Sequence, residues 1–434
     1  MSTITVFSQH KTNRLLYVLD WLLNDVLNVD YKLVHHEEEI LSLPFFFSYG
    51  KKFENAVNIP DAGLLWEQKI LPHEIKTGEW NGIPTLYHED SDHTVPFDLF
   101  SAIFFLLSRY EEYYGYTPDK HERYPVTESI LYRKGWLERP LVDEWIFEFF
   151  LLLNKNSSEN FLLPPFQYLA TYDIDIAFAY KYKAWKRIVG GFLKDLATGN
   201  FEAFKNRLLV LSGGRKDPYD SFDWMHEVHS KLSLHPIYFV LASLHTTPYD
   251  KNIDPDHKHM QRLILEFKKE GEVGMHPSYY SFREEVFREE RNCLEKTIGS
   301  TITKSRQHYI RLKIPDTYHK LIEHGIKDDY SMGYGSKLGF RAGTGRSFFW
   351  YDLKNEKATE LRINPFCFMD STARFEEKLS AKDAFERLNQ MRIILAKTQS
   401  QLITVFHNFS LGSDEGWTGW AEHYKKFIEE TSFR

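Results

Sequence analysis

The sequence predicts an α/β protein: a run of parallel strands joined by helical crossovers, close in count to a (β/α) barrel, preceded by a smaller α/β domain. Three observations carry this. From residue 166 onward, short apolar strand-like segments alternate with helix-like ones. The stretch Asn154–Pro165, rich in Asn and Ser and ending in two prolines, reads as a linker and divides the chain into residues 1–160 and 161–434. The chain is long, 434 residues, and its 42% hydrophobic and 26% charged content is that of a globular protein with a sizeable core.

In the first third, Leu16, Leu19, Leu23 and Val26 recur at spacings of three and four, which predicts a helix over 10–27. Strand candidates flank it at Ile4–Phe7 and Tyr31–Val34. Pro96–Glu112 reads as a second, very apolar helix that turns charged at Arg109, and Val142–Leu153 as a third. No catalytic constellation appears here, so this part either shapes a substrate cleft or forms an interface. Beyond the linker, strands are expected at Gln167–Tyr172, Ile237–Leu241, Glu272–Met275, Thr303–Gln307, Asp329–Met332, Glu360–Ile363 and Leu402–Phe406. Helices such as His257–Glu270, Ser281–Ile298, Pro315–His324, Ala381–Thr398 and Trp420–Glu430 connect them. That count is near the eight units of a (β/α) barrel, whose chemistry sits at the C-terminal ends of the strands.

Composition excludes several classes. Lys plus Arg is 54 against 61 Asp plus Glu, a net charge of −7, which is not the footprint of a nucleic-acid binder. The densest apolar runs, Ile103–Leu107 and Trp145–Leu153, fall well short of the ~20 residues of a membrane span. Met1 to Asn28 lacks the basic, apolar and small-residue pattern of a secretory signal, and the two cysteines, Cys293 and Cys367, make no disulfide framework. A cytoplasmic location is therefore expected. Aromatic residues, at 16%, fill cores but also line carbohydrate sites.

The chemistry-bearing residues stand where the predicted strands end. The first runs into Asp173-Ile174-Asp175, the third into His276-Pro277-Ser278, and the fourth carries Arg306-Gln307-His308. Asp370 follows the sixth, and the seventh runs into His407-Asn408. On a barrel these groups would gather on one rim. Asp173 and Asp175, two apart on an extended segment, point to the same side. Either one carboxylate binds a metal while the other takes a proton from water, or the pair ends a strand in an Asx turn. His276 is either a ligand or a loop residue. Arg306 either clamps a carboxylate or makes a structural ion pair. His407 is either a general acid or a hydrogen-bonded core histidine.

Other patterns carry no chemistry. His226 and His229 are three apart, not the four of a helical zinc motif. Gly213-Gly214-Arg215-Lys216 reads as a turn, and the cysteines form no zinc-binding pair.

With these residues in place, residues 166–434 resemble the NodB-homology polysaccharide deacetylases, carbohydrate esterase family four. The resemblance lies in Thr171–Asp175, Glu272–His276, Ser305–Tyr309 with the following helix, and Val405–Asn408. More narrowly, the whole chain resembles a Bacteroidetes group of deacetylase-like proteins, through Asp98–Tyr110, Arg139–Trp145, Arg306–Ile310, Ser331–Tyr334 and Gly339–Thr344. The resemblance implies a distorted (β/α)7 barrel and a divalent metal, often zinc. By motif position Asp173 would be the general base, Asp175 and His276 metal ligands, Arg306 the residue that orients the base, and His407 the general acid.

The sequence departs from the family at one ligand. The second motif's further histidine, four residues after the first, is here Tyr280. A phenol, with a pKa near ~10, is a poor zinc ligand. His308 or His245 would then complete the set, or the metal would be weakly held or absent. Arg341 is a second arginine candidate, and Tyr280, Arg341, Asp250 and Asp370 are expected to touch substrate. The expected function is metal-dependent removal of an acetyl group from an N-acetylated sugar or polysaccharide precursor. The alternatives are hydrolysis of another C–N amide bond, such as a ureide, and a degenerate sugar-binding barrel.

Overall fold

The computed structural model describes residues 3–157 and 160–432. The chain begins with a parallel sheet of four strands, β1 (Thr3–Ser8), β2 (Asp30–Val34), β3 (Phe46–Tyr49) and β4 (Ala56–Ile59), ordered β2-β1-β3-β4. Helix α1 (Asn13–Leu19) crosses from β1 to β2. Its cap is Thr12, whose hydroxyl accepts the Leu15 N–H at 3.2 Å. The helix continues through a widened turn to Val26, and Leu19, Leu22, Leu23 and Val26 are buried. A hairpin follows, β5 (Thr77–Trp80) and β6 (Ile83–Leu86), joined by Asn81-Gly82 with φ of 52° and 79°. Both turn residues sit in the left-handed region, which suits Asn-Gly and matches the twist of the arms.

Helix α2 (Leu99–Leu107) is buried along its whole length. It is capped by Asp98, which accepts the Ser101 N–H at 2.8 Å. The sequence predicts this helix to Glu112, but it stops at Leu107 because Arg109 takes a left-handed φ of 55°. That turn aims the guanidinium inward at Glu111 and Glu112. Helices α3 (Ile130–Arg133) and α4 (Leu141–Asn156) complete this part.

The second sheet has nine strands in the order β12-β13-β11-β10-β9-β8-β7-β15-β14. Strand β7 (Gln167–Ile174) is followed by α5 (Trp185–Ala197), α6 (Phe201–Leu211) and α7 (Phe222–Leu232) before β8 (Ile237–Val240). Helix α8 (Lys258–Glu270) leads to β9 (Glu272–Met275), and α9 (Glu284–Ile298) to β10 (Lys304–Ser305). Helix α10 (Asp316–Glu323) leads to β11 (Asp328–Asp329). Then come β12 (Phe348–Asp352), β13 (Lys357–Ile363) and β14 (Phe368–Met369), followed by α11 (Ala381–Lys397), β15 (Gln401–His407) and α12 (Trp420–Ser432).

Two expectations are corrected. The segment expected as a sixth βα unit, Glu360–Ile363, does pair parallel with β11, but it is also the second arm of an antiparallel hairpin with β12 that the sequence reading lacks. The ladder also does not close into a barrel, since β12 and β14 are its edges. Only Asn364–Cys367 lies between β13 and β14, and a parallel crossover needs about a dozen residues. Loop bonds span the gap instead, from the Phe366 N–H to the Met332 carbonyl (3.1 Å) and from the Gly339 N–H to the Cys367 carbonyl (2.9 Å).

Two strings from the first third are joined to one from the last. Buried Asp143 accepts the Gly345 N–H (2.7 Å) and the Thr344 hydroxyl (3.0 Å), and the Val142 N–H reaches the Gly343 carbonyl at 2.9 Å. Glu112 takes the Arg341 guanidinium at 2.9 and 2.6 Å and the Arg109 Nε at 2.8 Å.

Candidate active site

The parallel strands of the second sheet end on one side, and their last residues supply the site. Asp173 lies in β7 directly opposite His407 of β15, and Asp175 follows one residue past the end of β7. His276 follows β9, Arg306 and His308 follow β10, and Asp370 follows β14. Asp173, Asp175, His276, His308 and His407 line one cavity of about 260 Å³.

Each histidine is aimed by the bond its far nitrogen makes. His276 Nδ1 lies 2.5 Å from the Arg306 carbonyl oxygen, which can only accept. A proton therefore sits on Nδ1, and Nε2 faces Asp175 Oδ1 at 3.0 Å. His308 Nδ1 donates to Asp250 Oδ1 at 3.0 Å and aims Nε2 at Asp175 Oδ2, 3.4 Å away. His407 Nδ1 donates to Asp370 Oδ1 at 2.6 Å, and its Nε2 is also 3.4 Å from Asp175 Oδ2.

Asp175, His276 and His308 each offer one ligand atom, and these atoms lie within 4.8 Å of one another. Asp175 Oδ1 is buried and makes no hydrogen bond, although His276 Nε2 is close. A carboxylate and two imidazoles converging in a buried site favour a positive charge among them, and the donor set fits a metal ion that would displace the Nε2 protons. One carboxylate with two imidazoles suits zinc, and each imidazole has the oxygen partner behind it that orients such ligands.

The electrostatics mark the cluster as a place that holds positive charge, which a bound cation would supply in place of the imidazole protons. Burial alone would raise the Asp175 carboxyl, but His308 and His276 hold it well below the ordinary carboxylate range. Burial favours a neutral His308, yet Asp175 and then Asp250 push its pKa up to about 9. Burial likewise opposes charge on His407, and Asp370, followed by Asp175, lifts it well above the ordinary histidine value. Asp173 Oδ1 accepts Arg306 Nη1 at 2.8 Å, in a salt bridge whose arginine is fully buried. Arg306 is fixed in turn by the Thr171 hydroxyl (2.8 Å), the Tyr330 carbonyl (3.0 Å) and the Phe239 ring, 4.4 Å from its guanidinium carbon.

Four residues expected to touch substrate stand elsewhere. Arg341 is buried against Glu112 and the Gly333 carbonyl. Its string serves the junction between the two parts of the chain, not the cavity. Asp250 is buried behind His308, where it also accepts the Tyr279 N–H at 2.9 Å. Asp370 is buried behind His407 and accepts its backbone N–H at 2.7 Å. Tyr280 lies outside the cavity lining, in contact with Tyr249, Phe282 and Arg283. His245 is exposed on its loop, so His308 fills the place near Asp175.

Sequence reasoning missed several contributors. Asn252 holds the loop that bears Asp175, donating to the Ile174 carbonyl (2.8 Å) and accepting the Ala177 N–H (3.0 Å). His121 and Arg123, from the first third, line the cavity beside Tyr309. Arg123 Nη1 donates to the Tyr309 carbonyl at 2.9 Å, and the His121 and Tyr309 rings are 5.0 Å apart. Tyr309 takes a left-handed φ of 57° and leaves its ring partly exposed. Phe409 stacks on His407 with ring centroids 4.8 Å apart. Asn252, His121 and Arg123 come from loops remote in sequence, whereas Tyr309 and Phe409 lie beside His308 and His407 and are set by local loop geometry that spacing does not encode.

Residues 4–158 match a family of unknown function, DUF7033. No curated protein matches the chain by sequence. Among solved structures, Puue allantoinase is similar at 12% identity and a TM-score of 0.41, over 62% of this chain and 85% of that one. The polysaccharide deacetylase Bc1974 from Bacillus cereus is similar at 12% identity and a TM-score of 0.30, over 61% and 88%. Likenesses this loose decide nothing about chemistry. Nothing in these comparisons supports the narrower Bacteroidetes grouping.

Proposed function

We propose that this protein is a metal-dependent hydrolase that removes an acetyl group from an N-acetylated sugar or a related glycan precursor. One observation carries the reading: a carboxylate and two imidazoles whose ligand atoms converge, flanked by an Arg-held carboxylate and an Asp-held histidine. Asp175, His276 and His308 would hold the divalent cation, zinc by ligand chemistry. When bound, such a cation polarises an acyl carbonyl and acidifies water.

The chain's own groups do the rest. Arg306 occupies Asp173 Oδ1 and orients the carboxylate, so Oδ2 is the atom that takes a proton from the attacking water. Asp370 fixes His407 through Nδ1 and favours its charged form, so Nε2–H is the proton given to the leaving amine. The two groups lie opposite each other across adjacent strands, as a base and an acid working on one bond must. Residues 161–434 carry this chemistry on what we read as a distorted (β/α)7 barrel left open at one seam. Residues 1–160 form a second domain that completes the cavity wall through His121 and Arg123.

The test is acetate release from a panel of N-acetylated mono- and oligosaccharides by zinc-loaded protein. Wild type should release acetate, and Asp173→Asn and His407→Gln should each lower kcat by about 100-fold or more while keeping the metal. Activity on ureides alone would replace the acetyl substrate with another C–N bond. No hydrolysis of any panel member by folded, metal-loaded protein would overturn the assignment.

A further inference from the structure

We propose that helices α5 and α6 form a docking face for an anionic lipid surface. On α5, Trp185, Val189, Leu193 and Leu196 recur at spacings of four, four and three, which places them within an arc of about 80°. This stripe faces outward: Trp185 is 69% and Leu193 62% exposed. On α6, Phe201 is 72% exposed and Leu208 shares its face. The inward side of the pair is already satisfied. Phe192 packs on Phe204 with centroids 5.0 Å apart, and Arg207 bonds Asp195 at 2.8 Å. The outward stripe is therefore apolar surface that the fold does not use.

Charge identifies what covers it. Residues 181–216 hold nine Lys and Arg against two acidic residues, a net of +7 in a chain whose net charge is −7. Of the two acids, Asp195 is taken by Arg207. The exposed Lys186, Lys194 and Lys205 have no carboxylate partner among the described residues. An apolar stripe of Trp, Phe and Leu bordered by Lys186 and Lys205, with Lys194 further round α5, is the pattern of a helix lying in a membrane interface, with the rings among the acyl chains and the ammonium groups at anionic headgroups. A second copy fits poorly, because a two-fold contact would set one net-positive face against another. No helix among the described residues is long and apolar enough to cross a membrane, so the contact is with its surface.

The face is tied to the cavity. Arg187 of α5 donates to the carbonyls of Lys251 (2.7 Å) and Asn252 (3.0 Å), and Lys251 lines the cavity. A docked hairpin would hold the cavity beside the lipid surface. The proposal stands independently of the hydrolysis proposed above, since it concerns a different face and a different readout.

The test is co-sedimentation of the full chain with vesicles of phosphatidylcholine alone or with about a third phosphatidylglycerol. Binding is expected to the anionic vesicles, to weaken as salt rises, and to be minimal on neutral ones. Leu193→Ser with Phe201→Ser should cut binding about tenfold or more, and Lys186→Glu with Lys194→Glu and Lys205→Glu likewise. All five positions are exposed, so circular dichroism and the thermal midpoint should match wild type, as should turnover of a water-soluble substrate. Absence of wild-type binding to anionic vesicles would overturn the proposal, as would binding that both variants retain. A wild-type dimer that Leu193→Ser with Phe201→Ser dissolves, without vesicle binding, would assign the face to a second copy.

Discussion

Asp250 and Asp370 show how far a residue's type can be read without its direction. Both are carboxylates near strand ends, and both were expected to meet substrate. Each instead stands one layer behind a histidine, accepting its Nδ1–H and so choosing which nitrogen faces Asp175. The difference is a side-chain direction of a few ångströms, which spacing along a chain does not encode. Asp173, Asp175, His276 and His407 were legible because strand ends fix their direction through the backbone. Tyr280 misled for the same reason: a motif offset names a position, and here the geometry at that position is taken over by His308 from the next strand. If Asp250 sets the tautomer of His308, Asp250→Asn should weaken metal affinity about 10–100-fold with the fold intact. An unchanged affinity in a chelator competition would show that Asp250 has no such role.

At the level of elements, the strands with long apolar runs were readable, and those whose role depends on distant partners were not. Strands β7, β8, β9 and β15 fall where the sequence predicts them. The hairpin of β12 and β13 was missed because Phe348–Asp352 pairs antiparallel with a segment that, read alone, looks like another βα strand. Helices α5 and α6 carry a helical apolar spacing that the sequence shows, but that spacing does not tell that the stripe faces outward. Helix α9 carries a buried charge problem of its own. Glu290 accepts the Ser278 N–H at 3.0 Å with one oxygen, while the other has no partner. Burial pushes its pKa from 4.5 up to about 7. The folded form therefore binds more protons between those values, and stability falls as pH rises through that window. Glu290→Gln keeps an acceptor for Ser278 and removes the buried charge. Its thermal midpoint should rise by roughly 2 °C at pH 8 and match wild type near pH 4.5. An equal shift at both pH values would refute this cause.

At the scale of the whole molecule, segments of the first and last thirds meet at one junction. Arg109, Glu112 and Arg341 form a buried ion network across it, with the Arg109 guanidinium also meeting the Arg341 carbonyl. Paired burial of this kind is weak evidence of net stability, but removing one partner is costly. Glu112→Ala leaves Arg341 without its carboxylate and should cost about 3–5 kcal/mol, read as a lowered denaturant midpoint. A loss below about 1 kcal/mol would mean that the junction does not depend on the network. The same junction brings His121 and Arg123 to the cavity, so the first third matters to the site although it carries no catalytic motif. That a cation sits among Asp175, His276 and His308 is tested most directly by elemental analysis of untagged protein, comparing wild type, His308→Ala and Tyr280→Phe. Near-stoichiometric zinc or another divalent metal in wild type and Tyr280→Phe, lost in His308→Ala, is the predicted result. Full metal content in His308→Ala, or none in wild type after reconstitution, would contradict it.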